Sequence, residues 1–244
     1  MHHAVLERWS QRSSPVHRRD PRAKIFPLLI FLLVLATAHQ HLFPLSAGLF
    51  VLLSGGLIWA RLPLGPALAR AAVVLPFTLV FALISWLAGE PGRALSLLAK
   101  TYLSALAVVF VVGTTPFPAL LRGLEMPGVP RFLLLVTQFL YRYLFVIAEE
   151  AQHMARAALS RGASARQWFA GGERYRAAAG ALAVLFSRSY ARAEQIHQAM
   201  RARGFQGHFQ LFEPPQFRTA DAIFAIVASL GPPALRVFIE RAGL

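Results

Sequence analysis

Two short stretches, forty-two positions apart, combine residue types that could grip a partner: Ser160-Arg161-Gly162 and Ala202-Arg203-Gly204. Arginine carries a planar fork of donors that matches a carboxylate bidentately, and a glycine directly after it can take the left-handed conformation that ends a helix. Aligning Glu149–Gly162 with Ala191–Gly204 at the same offset also pairs Ala151 with Ala193 and Ala157 with Ala199. Either end alone is accounted for as a C-cap whose arginine complements the helix dipole. Two such ends on one basic stretch make a docking device of stiff rods with guanidinium tips.

Other residues that could do chemistry are less well placed for it. His39 and His41 flank Gln40, and His2-His3 stand at the start of the sequence. The spacing of His39 and His41 is loose and no carboxylate lies near, so these two are expected at an interface rather than on a metal. His153 and His197 read as surface or packing residues, and Glu149-Glu150 as a solvated face or as partners for arginine rather than as an acid–base pair. The absence of cysteine excludes disulfides, thiolate catalysis and Cys-ligated zinc. A Walker A loop needs glycine directly before its lysine, whereas both lysines, Lys24 and Lys100, follow alanine. No catalytic residue, no metal site and no cofactor of its own is expected of this chain, and it is not an enzyme on this reading.

The elements that position the two tips follow from composition. Of 244 residues 56% are hydrophobic and only 15% charged, with a mean hydropathy of +0.51, so lipid is the expected solvent. The formal net charge of +14 raises the question of nucleic acid, but the charges gather at the ends of apolar blocks, where the positive-inside bias puts them. The bilayer, and no nucleic acid, is the expected partner of that charge.

Asp20 reads as an N-cap with Pro21 at the first helical position, leading into an apolar run from Ile25 to Ala38. Arg22 and Lys24 are expected to hold this end in the cytoplasm. Ala36-Thr37-Ala38 also resembles a leader-cleavage site, although the polar lead of 24 residues is long for a leader. Further apolar segments run from Leu42 to Ala60, Ala71 to Ala88, Leu95 to Val112 and Ala220 to Ile239, the last expected to be kinked or interrupted at Gly231-Pro232-Pro233. Between the fourth and fifth, prolines at 116, 118, 127 and 130 leave a short amphipathic piece at Phe117–Leu124, expected at the interface.

From Arg131 a helical pattern continues to Arg161-Gly162, about 45 Å at ~1.5 Å per residue, and outreaches a membrane core. Its half from Phe132 to Ala148 is apolar enough to pass for a span. If it crossed, nine arginines between 156 and 203 would lie outside against only Glu173 and Glu194, contrary to the positive-inside rule. Arg142 would also sit inside the span, at about 2.5–3.5 kcal/mol. The segment is therefore read as a helix packed beneath the membrane. A loop at Trp168–Gly172 and a second long helix from Glu173 to Arg203-Gly204 follow, then a connector to Phe217. The expectation is an all-α integral membrane protein with about five transmembrane helices: residues 1–113 hold a lead and four spans, 114–217 a cytoplasmic coupling domain, and 218–244 a final span.

The sequence resembles the transmembrane component of energy-coupling factor (ECF) transporters in its cobalt-transport CbiQ form. The likeness runs through Leu6-Glu7-Arg8-Trp9-Ser10, Ser14-Pro15-Val16-His17, Asp20-Pro21-Arg22-Ala23-Lys24, Tyr141–Val146 with Glu149-Glu150, and Ser189-Tyr190 to Gly204. The two helix ends look like that family's paired Ala-Arg-Gly coupling motifs, with Ser160 where the first usually has alanine. The resemblance implies two long crossing helices whose Arg-Gly ends sit in grooves of two cytosolic ABC ATPase subunits. It also implies a separate membrane subunit that captures the substrate metal, ATP bound by the ATPase partners, and a multi-pass location in the inner (plasma) membrane with the N-terminus and coupling domain cytoplasmic. Cobalt is the family's association, while nickel and vitamin transporters use related subunits. A membrane-bound enzyme acting on an anionic lipid is a different reading of the same basic segment, but it lacks the nucleophile or paired acids such chemistry uses. A basic anchor that only recruits partners is a third, and leaves the matched ends unexplained.

Overall fold

The computed structural model describes residues 9–10, 12–38, 42–124, 130–162, 172–206 and 217–242. These residues are helical with no strand among them, and the protein is an all-α membrane protein. They fall into two compact units, 1–126 with 214–244 and 127–213. His2, His3, His39 and His41, most of the loop expected at 168–172 and most of the connector before Phe217 lie outside the described residues.

The first unit begins with a turn-rich lead and α1 (Arg22–Thr37). Pro21 already has helical angles, φ −54° and ψ −33°, and the Asp20 carboxylate accepts the Arg22 N–H at 2.9 Å, so Asp20 caps the helix as its sequence position predicts. α2 (Leu42–Trp59) follows, then α3 (Leu64–Ala72) and α4 (Leu75–Leu87). The single span expected at 71–88 is instead this pair, bent by 50°. Pro76 explains the break, because it has no N–H to give the Ala72 carbonyl and its ring crowds that carbonyl. α5 (Pro91–Thr114) runs at the centre of the unit against α1, α2, α3 and α4, burying Leu103, Leu106, Ala107 and Val111. α6 (Phe117–Leu124) is the short amphipathic helix expected there; it packs on α1 and so belongs to this unit, which leaves the second unit to begin at Pro127 rather than at 114.

α9 (Thr219–Ala242) closes the first unit against α1 and α2. Of the kink or interruption expected at Gly231-Pro232-Pro233, the interruption does not occur: one helix runs through both prolines. Close packing supports it, since a Cβ added to Gly231 would meet Leu52 at 3.3 Å and one added to Gly48 would meet Leu235 at 2.7 Å. Small residues that let backbones approach are how helices hold together without a hydrophobic drive in lipid. Asp221 caps the helix start by accepting the Arg218 N–H at 3.2 Å.

Polar side chains tie the two ends of this bundle. At one end Lys24 is buried, donating from Nζ to the Thr114 carbonyl at 2.9 Å and the Thr115 hydroxyl at 3.0 Å. At the other, Arg236 donates to Thr37 Oγ1 at 2.7 Å and Lys100 to the Ala36 carbonyl at 3.4 Å. The lead is pinned as well: Trp9 and Val16 are buried, and His17 sits between the Trp9 carbonyl at 2.9 Å and Ser14 Oγ at 2.7 Å. A carbonyl can only accept, so Nε2–H donates to Trp9 and Nδ1 accepts from the Ser14 hydroxyl. Burial holds the His17 pKa below its usual value.

The second unit holds α7 (Arg131–Ser160) and α8 (Gly172–Ala202). Among the described residues, Pro91–Thr114, Phe132–Ser160 and Thr219–Arg241 are each long and apolar enough to cross a membrane, and the bent pair makes a fourth. α1 has 16 residues, about 24 Å at ~1.5 Å each, and falls short of a hydrocarbon core of about 30 Å even with Arg22 and Lys24 counted in it. Length and composition alone thus admit α7 as a span; the arginines that follow it argue the other way.

Candidate functional site

The candidate site is the pair of α7 and α8 ends. No glycine or proline interrupts 131–160, and Pro130, at φ −55° and ψ 128°, supplies the extended residue before the helix. α8 passes through Ala177-Ala178-Ala179-Gly180-Ala181, whose four strong helix formers carry the helix past the unfavourable Gly180. Both rods then stop in the same way. In α8 the Arg203 N–H bonds the Ala199 and Met200 carbonyls, Gly204 takes φ +75°, its N–H bonds the Arg201 carbonyl at 3.0 Å, and the Phe205 N–H reaches back to Met200 at 3.0 Å. This is a complete Schellman ending. In α7 the Arg161 N–H bonds Ala157 and Ala158, Gly162 takes φ +89°, and its N–H bonds the Leu159 carbonyl at 3.0 Å.

Arg161 and Arg203 therefore occupy the same position, the last residue before a left-handed glycine. Ser160, Arg161, Gly162, Ala202, Arg203 and Gly204 are all exposed, and neither guanidinium has a partner among the described residues. The Ser160 hydroxyl is turned inward on its own helix, donating to the Ala157 carbonyl at 2.9 Å. Open space surrounds both glycines, so their backbone conformation, and not crowding, calls for glycine.

The rods are joined part-way along. Glu150 of α7 forms an ion pair with Arg188 of α8, beside a groove of about 270 Å³ lined by Phe139, Tyr143 and Ile147 on one helix and Ile196 and Met200 on the other. Glu149 instead faces His153 one turn on, at 3.7 Å. The two adjacent acids thus serve different neighbours. An arginine partner is expected for Glu149-Glu150, but periodicity gives no sign that Glu150 would meet Arg188, 38 positions away. No group of three metal-ligating side chains occurs among the described residues.

The family model described as CbiQ, cobalt transport protein, matches residues 12–212, which include both tips. The chain belongs to the CbiQ cobalt transport protein family. This CbiQ-family chain is 27% identical to the energy-coupling factor transporter transmembrane protein EcfT of Acidaminococcus fermentans, over 83% of this chain and 84% of that one. It is 28% identical to the EcfT of Bacillus selenitireducens over the same shares. It is also 31% identical to the cobalt transport protein CbiQ of Rhodobacter capsulatus, over 50% of this chain and 48% of that one. The CbiQ family is one of transporter membrane subunits.

Proposed function

We propose that this chain is the energy-coupling membrane subunit of an ECF-type ABC importer for cobalt. Its Arg161 and Arg203 tips dock in two cytosolic ABC ATPase subunits, where ATP is bound, and the chain passes their movement to a separate membrane subunit that captures the metal. The chain binds no cofactor itself.

One observation carries this reading: two long helices end on an exposed arginine held by the same glycine-terminated cap. A cap of this kind fixes the last residue against the helix axis, so force on the guanidinium is delivered along the rod instead of being lost in a frayed terminus. Charge-assisted pairing with carboxylates gives the grip. The topology proposed with it sets α1, α2, the α3–α4 pair, α5 and α9 across the inner (plasma) membrane, with the lead and the unit of α7 and α8 in the cytoplasm. Nine arginines between 156 and 203 support that side. The names of the EcfT and CbiQ relatives support the coupling role and the metal.

The test is the double variant R161A/R203A in the assembled transporter. Membrane insertion is expected to survive while co-purification of the ATPases and uptake of labelled cobalt are lost. Normal uptake by the double variant would refute the coupling role, and uptake of nickel in preference to cobalt would refute the assigned cargo alone.

A further inference from the structure

A second group of arginines lies in the first unit, linked through Trp9. The indole is buried, and its ring edge lies where a Cβ on Gly113 would meet it at 3.6 Å, so it cannot move far. Arg70, in the last turn of α3, lays its guanidinium over this ring, with Cζ 3.9 Å from the centroid. Arg12 follows one turn after Trp9, its N–H on the Trp9 carbonyl at 3.1 Å, and its Nη1 donates to the Arg61 carbonyl at 3.3 Å.

Two features of this group lack a structural reason. Arg70 Nη1 is sealed from solvent and has no hydrogen-bond partner among the described residues, although buried donors are almost always satisfied. Arg61 stands at φ +55°, in the left-handed position that ends α2, with Arg61 N–H on Ile58 and Leu62 N–H on Leu57. That is the position glycine fills after α7 and α8, and a non-glycine residue held there is strained. A cap needs no guanidinium at this point. No carboxylate among the described residues pairs with Arg12, Arg61 or Arg70; of the described acids in the lead and at the start of α9, Asp20 takes the Arg22 N–H and Asp221 pairs with Arg19 at 3.6 Å.

We propose that Arg70 and Arg12, which both meet Trp9, form with Arg61, whose carbonyl Arg12 holds, a binding site for a phosphate group, of the kind an anionic phospholipid presents. Arg70 is the oriented donor, its plane set by the indole, and a ligand oxygen that entered by displacing the groups sealing Nη1 would satisfy its unpaired N–H. Arg12 and Arg61 supply the remaining charge from the rim. A phosphodiester at a membrane surface meets these requirements without a counter-cation, and guanidinium forks match its oxygens. The site is independent of the coupling role of Arg161 and Arg203 and can fail without affecting it.

The experiment uses the full chain, purified in detergent and stripped of lipid, with binding read by native mass spectrometry. Phosphatidylglycerol is expected to bind at least about fivefold more tightly than phosphatidylcholine, and R12Q and R70Q each to remove that preference, while R93Q, at the start of α5, keeps it. Because Arg70 also stacks on Trp9, R12Q carries the test if R70Q does not fold. A parallel titration with inorganic phosphate fixes the source: saturation at micromolar phosphate, dependent on Arg12, assigns the site to a soluble phosphate, and lipid retention without it assigns the bilayer. Equal binding of the two lipids together with no phosphate binding, or a phosphate ligand held as well by R12Q as by the parent, would overturn the proposal.

Discussion

Lys24 Nζ meets the Thr114 carbonyl at 2.9 Å, joining the first turn of α1 to the last residue of α5 across 90 positions. The contact lies where the central helix ends and the chain turns towards α6. Replacing lysine by methionine keeps the stem and removes the donor, leaving the buried Thr114 carbonyl and Thr115 hydroxyl unsatisfied. We expect K24M to lower stability by about 1–3 kcal/mol, read as a fall in the thermal midpoint of the detergent-solubilised chain. An unchanged midpoint would show that water replaces the ammonium at no cost.

The glycines after the rods give a second prediction. At φ +89° and +75° an alanine is strained by roughly 1–2 kcal/mol, while asparagine tolerates the left-handed region. G162A and G204A are therefore expected to weaken ATPase co-purification, and G162N and G204N to retain most of it. If alanine and asparagine behave alike at both positions, the cap conformation does not set the tips.

Glu150 and Arg188 hold the rods to one another where both side chains keep some contact with solvent, so the pair contributes little to stability, about 0–1 kcal/mol. Its effect is on register. Single reversals, E150R or R188E, place like charges together and are expected to reduce transport, and the double swap to restore it. Failure of the swap to rescue either single variant would remove the pair from the coupling path.

His17 yields a pH dependence. Burial lowers its pKa in the folded chain below the ordinary 6.5, so below pH 6.5 the unfolded chain takes up a proton that the folded chain refuses. Stability is therefore full above that pH and is lost as pH falls through the window beneath it. The thermal midpoint of the parent chain should decline below pH 6.5 and that of H17Q should decline less; parallel curves would exclude His17 as the titrating group.

Much of this was legible in the residues. Asp20-Pro21 gave the start of α1, Pro130 the start of α7, and Arg161-Gly162 and Arg203-Gly204 the two ends, because caps and proline geometry are local. The tips of the candidate site were found for the same reason. The bend before Pro76 was missed since an unbroken apolar run conceals a proline in its middle. Of the kink or interruption expected at Gly231-Pro232-Pro233, the interruption did not occur, because the packing of Gly48 against Leu235 and of Gly231 against Leu52 is a tertiary fact. The Glu150–Arg188 pair, Lys24 on Thr114 and Arg70 over Trp9 all join positions far apart in the chain, and no periodicity announces them.

α7 has the length and apolar content of a membrane span, with little of it buried against the rest of the chain. During synthesis the insertion machinery therefore meets a segment it could accept, and the decision falls to the arginines that emerge afterwards. On the proposed topology those arginines act as ballast before any transporter has assembled. Substituting glutamine for those between 156 and 203 other than the tips should send α7 across the bilayer and invert everything after it, measurable by labelling cysteines introduced into α8 from either side. Selection on this stretch would then preserve the orientation of the nascent chain as much as its grip, and natural variants poor in arginine here should also be poor in leucine and phenylalanine between 132 and 148.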